Sequence, residues 1–402
     1  MINTISVQAS TETNSYAKIL NNGMDNINCA NLINGRVENR KEVTSIAKSL
    51  ASRIRNDSDY KHLTKNCTSF AHKRGYYSKP VTNEELEFPL AFGIYIYRSV
   101  YQVEQLLRII YRYHNVYCIH IDENSSSEFK TIILSIARCF ENIVLAPIFY
   151  PIKWGSMNIV RAELVCQKEL LLKNKSWKYY LNVCGQDFPL KTNLEIVRIL
   201  QLYGGKNDIQ TSAYVDEVRA KFVYVEDEKS IENTWLIKSE PRPTAIKRIH
   251  KGSLFVALAR RFVFFLQNSK ISKDWLNWLN DSYIPDESFT QTLARLPNAP
   301  GGPNNHESPE MLTRYVLWNG EVKCDGYWYH DVCVFSWRHL QIYPSRHELF
   351  ANKFFPDYDP IVTNCLEELL ENRTNNPVQI NMNMYKDFIS TRVWSFREPW
   401  YL

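Results

Sequence analysis

From residue 90 the chain alternates between apolar runs and stretches with helical spacing. Residues 90–97 form a β-branched and aromatic run, residues 100–113 repeat apolar positions at helical spacing, and residues 116–121 are again a buried strand. This is a β-α-β unit. Helical spacing returns over 129–140 and 158–172, and strands are expected at 143–147 and 179–184. Such alternation specifies an α/β fold, a mainly parallel sheet with helices on both faces. Ligands bind beyond the carboxyl ends of strands in such sheets. Asp122, Trp154 and the run Cys184, Gly185, Gln186 and Asp187 all fall at or shortly after those ends.

The flanking regions are patterned differently. Residues 1–86 are polar, rich in Asn, Ser, Thr and Lys, with one helical patch over 43–54, and read as a stem. After residue 205 the alternation loosens: a strand pair is expected at 221–226 and 233–238, helices at 254–267 and 287–296, and a Pro- and Gly-rich loop at 297–305 suited to the lip of a cleft. Residues 87–375 then make the main domain and 376–402 a C-terminal extension with Trp394, Phe396, Trp400 and Tyr401.

Composition adds limits. With 45% apolar and 23% charged residues the chain is an ordinary globular one. Its formal charge of +5 contains no run of five or six like charges, which argues against nucleic acid or an anionic membrane surface as a partner. No stretch approaches eighteen uninterrupted apolar residues, and Arg260 and Arg261 interrupt the best candidate. Residues 1–10 lack a basic flank and apolar block, so no signal peptide is expected.

Nine cysteines lie between Cys29 and Cys365 without a C-x-x-C pair, and Asn-x-Ser/Thr acceptors stand at Asn56, Asn66, Asn124, Asn174, Asn280 and Asn372. Spaced cysteines of this kind indicate disulfides in a lumenal protein; buried thiols are the alternative. The odd count fits four bridges and one free thiol. Spacing alone suggests only Cys324 with Cys333, across a short polar loop carrying Asp325, Gly326, His330 and Asp331. With no span in these residues, either an anchor lies upstream of them or the lumenal reading fails.

The segment from Tyr180 to Asn193 (YLNVCGQDFPLKTN) closely resembles the signature of the core 2/I-branching β-1,6-N-acetylglucosaminyltransferases of glycosyltransferase family 14. Residues 116–122 (VYCIHID), 282–287 (SYIPDE) and 347–354 (HELFANKF) resemble the same family. The cysteines follow it in order too, and the resemblance implies bridges Cys29–Cys365, Cys67–Cys139, Cys118–Cys166 and Cys324–Cys333, with Cys184 free. It also implies a GT-A fold, a UDP-sugar donor, an O-glycan or glycoprotein acceptor, no cofactor or metal, and a Golgi-lumenal type II membrane protein.

An inverting sugar transfer needs a base for the attacking hydroxyl and positive charge for the departing diphosphate. By resemblance Glu287 is the base; read by itself it is a helix-start acid, a reading that suits its neighbour Asp286 better. Many GT-A enzymes hold a metal with Asp-x-Asp, but Asp57-Ser-Asp59 and Asp357-Tyr-Asp359 do not follow the right strand. The family uses two basic side chains instead. Lys353 fills one position, and His330 replaces the arginine at the other, with Arg338 or Arg346 as substitutes. Tyr95, Asp122 and Trp154 are the implied uridine contacts, and Trp318, Gln210 and Arg219 the acceptor contacts. Gln210 stands for a glutamate, and a Lys and Arg of the family become Tyr214 and Glu217. UDP-glucose or UDP-xylose as donor, and an inactive lectin-like homologue, are the alternatives these residues leave open.

Overall fold

The computed structural model describes residues 24–391 apart from 25, 55–56, 77–78, 214–237, 239, 303–309 and 321. From residue 90 the chain runs β1 (Leu90–Ile96), α1 (Val100–Ile110), β2 (Val116–Ile121), α2 (Ser127–Ala137), β3 (Ile143–Leu145), α3 (Met157–Lys173) and β4 (Tyr179–Cys184). With β5 (Asp208–Ile209) and β6 (Val256–Ala259) these strands form a six-stranded sheet in the order β3-β2-β1-β4-β6-β5. The first four strands pair in parallel, and β6 runs antiparallel to β4 and β5.

Local sequence explains these boundaries. β1 and β2 are mostly apolar, His120 excepted, because both faces are covered. Ser99 and Ser126 start α1 and α2, their side chains accepting hydrogen bonds from the backbone N–H groups of Gln102 and Phe129. The chain builds outward from β1 through β2 and β3, then returns to β1's other side with β4. That reversal opens a crevice at the carboxyl ends of β1 and β4.

One expected element is corrected. The apolar pattern over 254–267 predicts a single helix, whereas residues 256–259 form β6 and the helix is confined to Arg260–Asn268. β6 lies between β4 and β5 and is buried at every position, so its sequence lacks the alternation that marks a half-exposed strand. The expected helix at 287–296 shortens to Phe289–Ala294, preceded by a 3-10 turn at Pro285–Glu287. Of the strand pair expected at 221–226 and 233–238, all but Lys238 lies outside the described residues.

The segment ahead of β1 is helical and packs into the main core through Met24, Leu32, Leu50, Tyr60 and Phe70. Arg74 pairs with Glu104 of α1, and Arg108 of α1 pairs with Glu367 of the helix Pro360–Asn375. The helix Met382–Thr391 adds Met384, Tyr385 and Phe388 to the same core. Disulfides join Cys29 to Cys365, Cys67 to Cys139, Cys118 to Cys166 and Cys324 to Cys333, and Cys184 is free. Among the described residues no helix is long and apolar enough to cross a membrane.

Candidate active site

A cavity of about 220 Å³ opens at the crevice, lined by residues from the ends of β1, β2 and β4. Register puts Tyr95 beside His120 on one side and Cys184 on the other, and all three line it. The Tyr95 hydroxyl is 2.7 Å from that of Tyr180. Gly93 makes room for the pair, since a Cβ there would lie 2.5 and 2.6 Å from the two hydroxyl oxygens. Asp122, at the end of β2, also lines the cavity, and its Oδ1 accepts from the backbone N–H groups of Asn124 and Ile152 at 2.9 and 3.2 Å. The acid that ends a buried strand thus ties down the loop after β3.

Two polar groups of the cavity wall escape the sequence reading. Glu163 of α3 accepts a hydrogen bond from Asn182 at 3.2 Å, and burial pushes its carboxyl up to about 8, making it mostly neutral at pH 7. Its sequence signal is a polar residue on the helix face otherwise defined by Val160, Cys166 and Leu170. His120 accepts at Nε2 from the Tyr150 N–H, and burial lowers its pKa to about 4.

Trp154 stands on the loop after β3, 67% exposed, with its ring edge against Tyr283 at 5.7 Å. It is not part of the cavity wall but stands beside the segment that carries the expected base. The Ile284 N–H donates to the Gly155 carbonyl at 3.0 Å, and Ile284 itself adopts φ +52°, a costly conformation for a β-branched residue. The turn places the Glu287 carboxylate 3.0 Å from the Lys251 ammonium, both side chains one-third exposed. Asp286 behaves differently from the expected helix-start acid. Its Oδ1 is buried without a hydrogen-bond partner among the described residues, and burial, reinforced by the charge of Glu287, pushes its carboxyl up to about 7.

Lys251 lies in a basic stretch without periodicity, which gives the sequence no reason to single it out. Structure supplies the reason. Its strand pairs with Ser212–Ala213, and the next residue, Gly252, donates its N–H to the Glu287 carbonyl at 3.0 Å. A Cβ on Gly252 would lie 1.8 Å from the Gln210 carbonyl oxygen, so only glycine allows the backbone of Gln210 to come so close. Gln210, Lys251 and Glu287 are therefore brought together, and the segment continues into Leu254 and Phe255 of the cavity wall. Arg219, Tyr214 and Glu217 lie outside the described residues.

The basic side is built on a hairpin. Tyr327–Tyr329 and Val332–Val334 pair antiparallel across His330 and Asp331, both in the left-handed region at φ +48° and +59°, as a two-residue turn of this type requires. The exposed His330 ring stacks on Tyr329 at 4.2 Å, and the Lys353 ammonium lies 5.0 Å from the centre of the same Tyr329 ring. Lys353 follows the strand Phe350–Asn352, and the next N–H, of Phe354, donates to cavity residue Gln186 at 2.9 Å. Trp318, 48% exposed, bridges to Val332, which pairs in turn with Tyr329. Lys353, His330 and Trp318 thus belong to one small sheet region.

Other candidate residues are engaged elsewhere. Arg338 donates to Thr44 at 3.2 Å and lies over Trp337, and Arg346 pairs with Glu348 and lies over Tyr315. Asp187 of the signature run turns inward to a buried ion pair with Arg314 at 2.9 Å. In the two Asp-x-Asp runs, Asp57 accepts from the Val100 N–H at the start of α1, and Asp359 accepts from the N–H groups of Trp337 and Ile361. These carboxylates serve backbone donors.

The model of the Core-2/I-Branching enzyme family matches residues 90–342. The chain is 34% identical over 374 residues to a Homo sapiens beta-1,3-galactosyl-O-glycosyl-glycoprotein beta-1,6-N-acetylglucosaminyltransferase, covering 88% of this chain and 86% of that one. It is 33% identical over 371 residues to a Danio rerio protein of that name with the number 4, covering 87% and 85%. It is also 35% identical over 327 residues to a Mus musculus N-acetyllactosaminide beta-1,6-N-acetylglucosaminyl-transferase, covering 79% and 82%. With the motifs, the cavity at the strand ends and these similarities together, the chain belongs to the Core-2/I-Branching enzyme family and is a glycosyltransferase.

Proposed function

We propose that the protein transfers N-acetylglucosamine from UDP-GlcNAc in β-1,6 linkage to a mucin-type O-glycan such as Galβ1-3GalNAc, with inversion and without a metal. The observation that carries this reading is Glu287, a carboxylate one-third exposed beside Lys251, whose segment runs on into the cavity wall. UDP occupies the switch-point cavity in a GT-A arrangement, with Tyr95 and Asp122 at the nucleoside and Trp154 at the rim. Glu287 takes the proton of the attacking hydroxyl; the hydroxyl oxygen bonds to the anomeric carbon as the bond to the diphosphate breaks. Lys353, with His330 beside it, faces the charge that grows on the leaving diphosphate. Trp318 offers an apolar ring to an acceptor sugar. Four disulfides suit the Golgi lumen as the place of work.

The test is product mass after incubation with a Galβ1-3GalNAc aryl glycoside, EDTA and a mixture of UDP-GlcNAc, UDP-glucose and UDP-xylose. Addition of N-acetylhexosamine is expected. Addition of hexose or pentose replaces the donor, and dependence on added manganese overturns the metal-free mechanism. No product while UDP still binds points to another acceptor or to a binding protein.

A further inference from the structure

Arg98 stands in the bend after β1, following Ile96 and Tyr97, both of which line the cavity. The Arg98 guanidinium lies 4.4 Å from the centre of the Phe355 ring and 5.6 Å from that of Tyr97. Phe355 in turn meets Tyr329 edge-on at 5.3 Å, and Tyr329 is the ring that carries Lys353 and His330. Three basic side chains are thus gathered over adjoining aromatic rings at the cavity mouth.

Little negative charge balances them. Among the described residues the ion-pair partner of Arg98 is Asp357, at 3.9 Å and with a side chain 67% exposed, a geometry in which such pairs contribute little. Arg98 Nε is buried and has no hydrogen-bond partner among the described residues. Burial lowers the pKa of Lys353 against the opposing influence of Cys184 and Asp187, and the charge of Arg98 adds the smallest push in the same direction as burial. Like charges held together on rigid rings, with donor capacity unspent, await an anion. A diphosphate offers several oxygens in the spacing that a guanidinium fork can grip.

We propose that Arg98 is a diphosphate-binding residue, gripping the leaving group together with Lys353. This rests on the UDP-sugar reading of the cavity. Arginine contributes a charge independent of pH, which a histidine does not.

Calorimetric titration of UDP and of uridine into the wild type, Arg98→Ala and Arg98→Lys separates the outcomes. Arg98→Ala is expected to weaken UDP about tenfold, the scale of one charge-assisted hydrogen-bonded contact, and to leave uridine within twofold. Arg98→Lys is expected to recover part of the loss. A change in UDP affinity below threefold, or an equal loss for uridine, overturns the role, the latter by revealing a packing defect. A wild type that binds neither UDP nor uridine overturns the nucleotide reading itself, and this inference with it.

Discussion

Glu287 and Asp286 are neighbours in sequence with opposite environments. Glu287 faces the cleft beside an ammonium, whereas Asp286 is pressed inside, where burial and the adjacent charge keep its proton on up to about pH 7. Glu287→Gln keeps the shape and removes the base, so kcat is expected to fall by roughly 10²–10⁴-fold with UDP affinity unchanged. Steady-state rates and UDP titration check this, and undiminished turnover removes Glu287 from the mechanism. Asp286 predicts a stability effect. An acid whose folded pKa is raised keeps its proton while the unfolded chain loses it, so stability falls as pH rises from about 4 to about 7 and is level above. Asp286→Asn is expected to remove that fall and to stabilise by a few kcal/mol above pH 7, with little gain near pH 4. Thermal melts across that range test it; a gain independent of pH counts against the burial of a charge.

At the scale of elements, the parallel strands were legible because each is an apolar run bounded by turns, and the helices between them because their apolar residues recur at helical spacing. β6 was not, because a strand buried on both faces has the same composition as a buried helix. Candidates for the site could be named from sequence where a residue ends a strand, as with Asp122, or belongs to a recognisable motif, as with Glu287 and Lys353. Lys251 and Arg98 were invisible for a common reason: what distinguishes them is a neighbour distant in sequence, Glu287 for one and Phe355 for the other. The disulfide pairs were likewise readable only by resemblance, apart from Cys324–Cys333. The bridge from Cys29 to Cys365 ties the helix Cys29–Ile33 to the helix Pro360–Asn375. Replacing both cysteines by serine is expected to cost about 2–5 kcal/mol, read as a lower melting temperature with UDP affinity retained in the folded protein.

Across the whole molecule, the proposed nucleoside site and the proposed acceptor ring are carried by different parts of the chain, while Lys353 and His330 share the small sheet region of Trp318. The cavity belongs to the parallel sheet, while Trp318 stands in the small sheet region beyond it. Trp318→Ala is therefore expected to raise the KM for the acceptor about 3–10-fold, the range of one lost ring contact, and to leave UDP affinity unchanged. Parallel losses for both substrates would show that the region folds as one with the nucleotide cavity. The Cys29–Cys365 bridge has a further consequence, for biosynthesis. Its two sulfurs are 336 residues apart in sequence, and at roughly 5–20 residues per second the ribosome delivers the second some tens of seconds after the first. Cys29 must therefore pass most of translation as an open thiol while Cys67–Cys139 and Cys118–Cys166 find their partners, which makes it the cysteine most exposed to mispairing and gives the oxidative folding machinery of the cell its longest wait.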